Sequence, residues 1–235
     1  MDNMSKRGFD PLKYQFEDQV PKPGSVTEVA DGVYWVRMPM PGRLNHINTW
    51  LLRDYDGWTI VDTGIPNQKI QKHWQTIFDN HLDGKPVTRV IATHLHTDHT
   101  GNAGWITSKW DCELWMSRSD FYMCKTMAAD GPSDVPEDAI RFYRRAGFTE
   151  ERLDRYRQRF GHFGASMFRL PAGYRRINDG QYIDIGGREW RAVIGHGHAP
   201  EHVCLYCPEL KLILAGDQIL PKITPNVSVQ PSEPH

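Results

Sequence analysis

The sequence predicts a domain of mixed α and β structure, in the α/β (α+β) class, and three stretches carry that expectation. Residues 27–61 are a run of short β-branched and aromatic segments broken by Asp-Gly turns, the pattern of antiparallel hairpins. Residues 87–92 are apolar and β-branched, and they end on a cluster of metal-ligand side chains between His94 and His99. Residues 117–165 change to helical spacing before strand signals return at 174–215.

In order along the chain, residues 1–24 are polar, with Pro11, Pro21 and Pro23, and read as an arm ahead of one domain spanning 25–235. Val29, Val33 and Trp35 flank an Asp31-Gly32 turn, so 27–37 is a hairpin; 38–45, with two prolines and Gly42, is a loop. Strands follow at 47–52 and 58–61 across Asp54-Tyr55-Asp56-Gly57. Asp62-Thr63-Gly64 closes the fourth strand and reads equally as a turn or helix cap and as support for the ligand cluster. Ile70, Trp74, Ile77, Phe78 and Leu82 recur at helical spacing, which predicts a helix over 67–82 with His73 and His81 on its surface and Gly84 as its stop. After the strand at 87–92, Gly101–Ile106 opens a helix and 112–116 is a short strand. Helices are expected at 117–130, 136–147 and 149–160, the last with Thr149 as N-cap and Glu150-Glu151 in its first turn. Strands at 174–178 and 181–185 are expected to form a hairpin about Asp179-Gly180, followed by strands at 188–194, 201–207 and 211–215. Beyond Asp217 no element is signalled.

Bulk properties exclude several classes. A net charge of -1 and a pI near 6.8 give no footprint for nucleic acid or an anionic membrane. No apolar run approaches the roughly 20 residues that span a bilayer. Met1–Tyr14 is charged without an apolar core, so no secretory leader is expected, and the cytoplasm is the default location. Four cysteines are few; Cys204 and Cys207, three apart on a strand, face opposite sides, which favours free thiols over a zinc knuckle or redox pair. A small-molecule substrate is the expected partner. The seven arginines between Arg141 and Arg159, against five acids between Glu137 and Asp154, read first as a solvated helical face. A sharper alternative is a roof over the site, with His162 in it, in which some arginines meet an anionic part of the substrate.

The chemistry concentrates at Thr93-His94-Leu95-His96-Thr97-Asp98-His99-Thr100-Gly101. His94 and His96 are two apart, so an extended backbone points both imidazoles to one side. Asp98 and His99 follow where the chain turns. Two nitrogen ligands, then a carboxylate and a nitrogen, at the C-terminal end of a strand suit two adjacent borderline metal ions.

This cluster, preceded by Val61-Asp62-Thr63-Gly64 and followed by His198-x-Pro200-x-His202 and Gly216-Asp217, resembles the metallo-β-lactamase-fold hydrolase superfamily, most closely its glyoxalase II-like and lactonase-like branch. The resemblance runs from about Val29 to Asp217. It implies an αββα sandwich with the metal site at one edge, built on residues 25–235 with a helical insert at about 117–165. It also implies His94, His96 and His198 on one metal, Asp98 and His99 on a second, and Asp217 bridging them. His196 competes with His198, but Gly197–His202 fits the family pattern; His202 would support rather than ligate. The family brings one more His from beyond the bridging Asp, whereas here only the terminal His235 follows. The chain is therefore expected to lack the last strand and helix, with the second half of the sandwich incomplete. The implied cofactor is zinc, as one or two ions, with iron and manganese as alternatives.

The implied activity is hydrolysis of a thioester, ester or lactone by a metal-bound hydroxide, with Asp98 orienting the nucleophile and moving its proton. No Gly-x-Ser-x-Gly elbow offers a competing nucleophile. The alternatives are an iron-dependent oxygenase of the same fold, resembling persulfide dioxygenases, and a catalytically impaired fragment. His46 and Asn48, in the loop from Arg43 to Asn48, read first as ordinary loop polarity, with a place facing the site as the alternative.

Overall fold

A computed structural model describes residues 13–16, 19–42, 44–131 and 134–233. Arg43, His235 and most of the expected N-terminal arm lie outside the described residues.

The first sheet starts as predicted. Strands β1 (Val26–Ala30), β2 (Val33–Pro39), β3 (His46–Arg53) and β4 (Trp58–Val61) form an antiparallel meander. Strand β2 runs further than expected, pairing Pro39 with His46, so most of the predicted loop at 38–45 is shortened to a tight connection. Helix α1 (Gln68–His81) begins because the Asn67 side chain accepts from the Ile70 N–H at 2.9 Å, and it buries Ile70, Trp74, Ile77 and Phe78 as one stripe. It ends where Asp83 and Gly84 take positive φ. His73 is half-buried rather than on the surface, because the chain at Gly24 lies over it. The chain then adds β5 (Val87–Ile91), a single helical turn α2 (Thr97–Thr100), α3 (Ala103–Trp110) and β6 (Glu113–Met116), with β4, β5 and β6 parallel. The insert folds as α4 (Arg118–Ala129), α5 (Glu137–Arg145) and α6 (Glu150–Arg159). Thr149 caps α6 as expected, and exposed Arg144–Glu150 and Arg157–Asp154 pairs give the arginine-rich stretch the character of a solvated face.

The hairpin expected at 174–185 does not form. Strand β7 (Arg175–Arg176) pairs parallel to β6, whereas β8 (Tyr182–Ile185) joins β9 (Arg188–Gly195) in a second sheet. Asp179-Gly180 is the crossing point between the sheets. Its turn is fastened to the second sheet by Gly180 N–H to Ala192 O and Ile194 N–H to Asp179 Oδ1, while Ile177 buries itself between the sheets. Strands β10 (His202–Cys207) and β11 (Leu212–Leu214) complete an antiparallel sheet in the order β11-β10-β9-β8.

The result is a helical layer, a seven-stranded sheet and a four-stranded sheet. One core lies between helices and first sheet, around Trp74, Ile106 and Phe121; the other lies between the sheets, around Trp190, Val61, Ile91 and Leu205. Complete burial of each such side chain contributes about 2–3 kcal/mol. The cysteines are free, with Cys207 in the inter-sheet core and Cys204 on the other face of β10. Among the described residues no helix follows β7. The outer face of the second sheet therefore exposes Tyr182, Val193, Tyr206 and Ile213, and the fourth layer of an αββα sandwich is not seen there. No helix of the described residues is long and apolar enough to cross a membrane.

At one end of the sandwich a buried carboxylate joins the layers. Asp54 accepts from Arg89 Nη2 at 2.7 Å, Thr59 Oγ1 at 3.0 Å and Thr88 Oγ1 at 3.1 Å in the first sheet, and from the Gly186 N–H at 3.1 Å in the second. Burial pushes its pKa up, but the Arg89 charge and these donors outweigh it and hold the carboxyl below its ordinary value.

Candidate metal centre

The opposite end collects the ligand-type residues. Strand β5 delivers His94 and His96; α2 carries Asp98 and His99; the β9–β10 loop brings His198; the turn after β11 brings Asp217. Two groups of three converge, with ligand atoms within 4.8 Å of one another: His94, His96 and His198, and His94, His99 and Asp217. Asp98 stands beside the second group, its Oδ2 3.8 Å from His99 Nε2. His196 is turned away, exposed, with Nδ1 donating to Pro200 O at 2.6 Å. His46 and Asn48 are engaged by Arg37 and Trp35.

The motif's glycines follow from crowding. A Cβ at Gly101 would meet Thr97 O at 2.3 Å and Gly64 O at 2.7 Å; one at Gly216 would meet the His202 ring at 2.7 Å, where φ is also +50°.

The imidazoles of His94, His99 and His198 are oriented from behind. Asp62, itself at φ +62°, accepts from the Thr93 N–H and from Thr93 Oγ1, both at 2.8 Å, and from His99 Nδ1–H at 2.7 Å. The Asp62 carboxylate thus supports the ligand loop, and Asn67, not Asp62, caps the helix. Thr93 Oγ1, its proton given to Asp62, takes His94 Nδ1–H at 2.9 Å. His198 Nδ1–H donates to Asn226 O at 2.9 Å. His202, stacked on His94, accepts the Asp217 N–H on Nε2 at 3.1 Å. It is fully buried and supports Asp217 without joining either ligand group.

These partners decide how the ring nitrogens face one another. With Nδ1 of His94 facing Thr93 Oγ1 and Nδ1 of His198 facing Asn226 O, the Nε2 atoms of the two rings point at each other 3.2 Å apart, and His96 Nδ1 lies 2.9 Å from His94 Nε2. Lone pairs held face to face repel unless they share a cation. A proton is disfavoured there: burial and the neighbouring histidines push His94 well below its ordinary pKa and His96 down to about 4. A tetrahedral ion with nitrogen ligands at about 2.0–2.1 Å separates those nitrogens by about 3.3 Å, close to the spacing seen.

The second group has the opposite character. His99 Nε2 is buried without a hydrogen-bond partner, 3.5 Å from Asp217 Oδ1. Burial alone would lower the pKa of His99, but Asp62 and Asp217 raise it well above the ordinary value. Asp217 is pulled down to about 2, because His99 and its neighbours outweigh the burial that raises it. Carboxylates crowd this point and call for positive charge. Asp217 Oδ1 faces His99, whereas Oδ2 faces His198 at 3.5 Å, so one carboxylate spans both groups. The His/Asp cluster is thus consistent with metal binding.

Sequence reasoning passed over Thr93, Asn102, Asp120 and Asn226. Asn102 Nδ2 reaches the carbonyls of Thr63, Gly64 and Ile65 at 3.1, 3.0 and 2.7 Å, fixing the Asp62 turn to the start of α3. Asp120, fully buried in α4, accepts from the Leu95 N–H and the Glu201 N–H, both at 2.8 Å.

This architecture and site define a metal-site hydrolase fold, and residues 42–235 match the metallo-beta-lactamase superfamily. The chain belongs to that superfamily. It is similar to a beta-lactamase domain protein from Burkholderia ambifaria, with 41% identity and a TM-score of 0.81 over 94% of this chain and 65% of that one. A metallo-beta-lactamase family protein from Thermus thermophilus shares the fold at 22% identity and a TM-score of 0.71, over 88% of this chain and 65% of that one. Among curated proteins, it is 22% identical to an acyl-coenzyme A thioesterase from Homo sapiens, over 81% of this chain and 64% of the relative. It is 25% identical to the atrochrysone carboxyl ACP thioesterase of Aspergillus terreus, over 86% of this chain and 48% of the relative. The chain thus spans about half to two thirds of the length of these relatives.

Proposed function

We propose that this metallo-beta-lactamase-fold hydrolase cleaves a thioester, or a chemically similar ester or lactone, of a small molecule in the cytoplasm, using one or two zinc ions. The reading keeps the chemistry of the glyoxalase II-like and lactonase-like branch. The observation that carries it is the convergence of His94, His96 and His198, with the Nε2 atoms of His94 and His198 3.2 Å apart and His96 Nδ1 2.9 Å from His94 Nε2. Thioester specificity draws on the two thioesterases among the relatives. Iron and manganese remain alternatives for the metal, because imidazole and carboxylate ligands suit all three.

His94, His96 and His198 would hold one ion, and His99, Asp98 and Asp217 a second. A divalent ion there supplies an acidified water and an electrophile for a carbonyl oxygen. The chain's own part is positional. Asp98, 23% exposed, is open to solvent beside His99 and can orient the attacking water and take its proton. Asp62 and Thr93 fix the rings of His99 and His94, so ligand nitrogens need not reorganise during turnover.

Asp98→Ala should lower kcat for acyl-thioester hydrolysis by at least about 100-fold, with the urea unfolding midpoint unchanged. Retained turnover would sink this mechanism. Elemental analysis of the purified chain belongs beside it: one or two equivalents of zinc support the reading, and iron as the sole metal would shift it toward oxygen chemistry.

A further inference from the structure

Asp120 lies far in sequence from every ligand candidate, yet it touches both loops that carry the first group. Its Oδ1 accepts the N–H of Leu95, the residue between His94 and His96. Its Oδ2 accepts the N–H of Glu201, in the loop that carries His198 and ends at His202. Ser117 Oγ, one turn earlier, donates to Oδ2 at 3.2 Å and fixes the carboxylate. The contact is reciprocal, since Glu201 Oε2 accepts the Ser119 N–H at 2.7 Å and so pins the same loop to the start of α4. Asp120, Ser117 and the Leu95 side chain are buried, so water cannot replace the bonds of Asp120 to the Leu95 N–H and to Ser117 Oγ.

The two loops come from different sheets. His94 follows β5 of the first sheet, and His198 follows β9 of the second, yet their Nε2 atoms must meet within 3.2 Å. A backbone bond from the Val203 N–H to Thr93 O at 2.7 Å joins the roots of the two loops, and Asp120, whose two oxygens grip one loop each, fixes the stretches beyond it that carry the histidines. A helix-start carboxylate three residues after a serine would ordinarily cap its own helix. Here it is turned outward, and Ser117, the N-cap residue, makes no side-chain cap bond.

We infer that Asp120 is a positioning residue that sets the register between the His94–His96 loop and the His198 loop, and thereby the affinity of the site for a divalent ion. The inference rests on the metal-site reading above.

The test is titration of the metal-free full chain with Co2+, followed by competition with Zn2+, for wild type, Asp120→Asn, His198→Ala and the double variant. Asparagine keeps one acceptor oxygen and presents an NH2 to the other N–H, so it releases one loop. Expected are a 10- to 100-fold rise in the Co2+ Kd for Asp120→Asn and a changed visible Co2+ spectrum, the scale typical of lost support behind metal ligands (~10–100-fold). In the His198→Ala background, where register no longer matters, the same substitution should change Kd by less than about threefold. A purely structural role predicts the same fold-change in both backgrounds and an unaltered spectrum at saturation, and either result would overturn the inference. Should Asp120→Asn not fold, Ser117→Ala, which frees the carboxylate without removing it, should raise Kd about fivefold, and no rise would overturn the inference. Wild-type chain that binds no Co2+ would instead overturn the metal-site reading, and this inference with it.

Discussion

The ligand candidates come from two loop systems built in different ways. The loop after β5 is rooted in the core: His94 and His99 are 0% and 1% exposed although Asp98 is 23% exposed, Asp62 accepts the Thr93 N–H and the His99 ring N–H, and Thr63 Oγ1 donates to His99 O. The second system is tied more lightly. Asp217 is 29% exposed and is tied through His202, and His198, its side chain 6% exposed, leans on a single carbonyl of Asn226 from the tail. The first half of the site is therefore part of a core, so changing it should cost stability. The second half is an attachment to that core, so changing it should cost metal binding and leave stability nearly intact.

The sharpest break of this contrast is Asp62→Ala. It strands the Thr93 N–H, the Thr93 hydroxyl and His99 Nδ1–H in a buried site, and should lower unfolding free energy by about 3–5 kcal/mol in the metal-free chain, read by urea denaturation. A loss under about 1 kcal/mol would mean the loop is not held from the first sheet. Asp54→Asn probes the far end of the sandwich, with an expected loss of about 2–3 kcal/mol at pH 7. The native carboxyl sits below its unfolded value near 3.9, so its contribution is present above that pH and disappears as pH falls through the folded value. The gap between wild type and Asp54→Asn should therefore narrow as pH falls below about 4 and through the folded value, and a gap that stays constant would rule out ionisation as its source. Asn102→Ala should cost about 2 kcal/mol by unlatching residues 63–65 from α3, visible as faster amide exchange in that turn. The smallest stability change belongs to His198→Ala, under about 1 kcal/mol, although metal should dissociate readily; a larger loss would place His198 in the core and erase the contrast.

The same contrast explains what the sequence could tell. The ligand cluster was legible because four ligand-type residues fall within six positions and need only an extended strand and one turn. The first sheet was legible because hairpin turns and β-branched runs are local signals. The crossing at Asp179-Gly180 was not: the dipeptide suits a hairpin, and only the burial of Ile177 between the sheets sends its flanks to different partners. Asp120 was hidden for a similar reason, since Ser117-x-x-Asp120 reads as an ordinary helix start. No hint in the sequence marked it out, since Arg118 two residues away reads as its partner. Asn226 offered none, because its contribution is a backbone carbonyl.

The closeness of His94, His96, Asp98 and His99 along the chain has a thermodynamic consequence. Such a cluster needs little of the fold to meet a metal, so the unfolded chain retains part of its grip. Metal that binds both states stabilises the native one only by the difference in affinity. That difference must come from His198, 104 residues from His94, and from Asp217. On the metal-site reading, a thermal shift on adding metal would accordingly understate how tightly the native site binds.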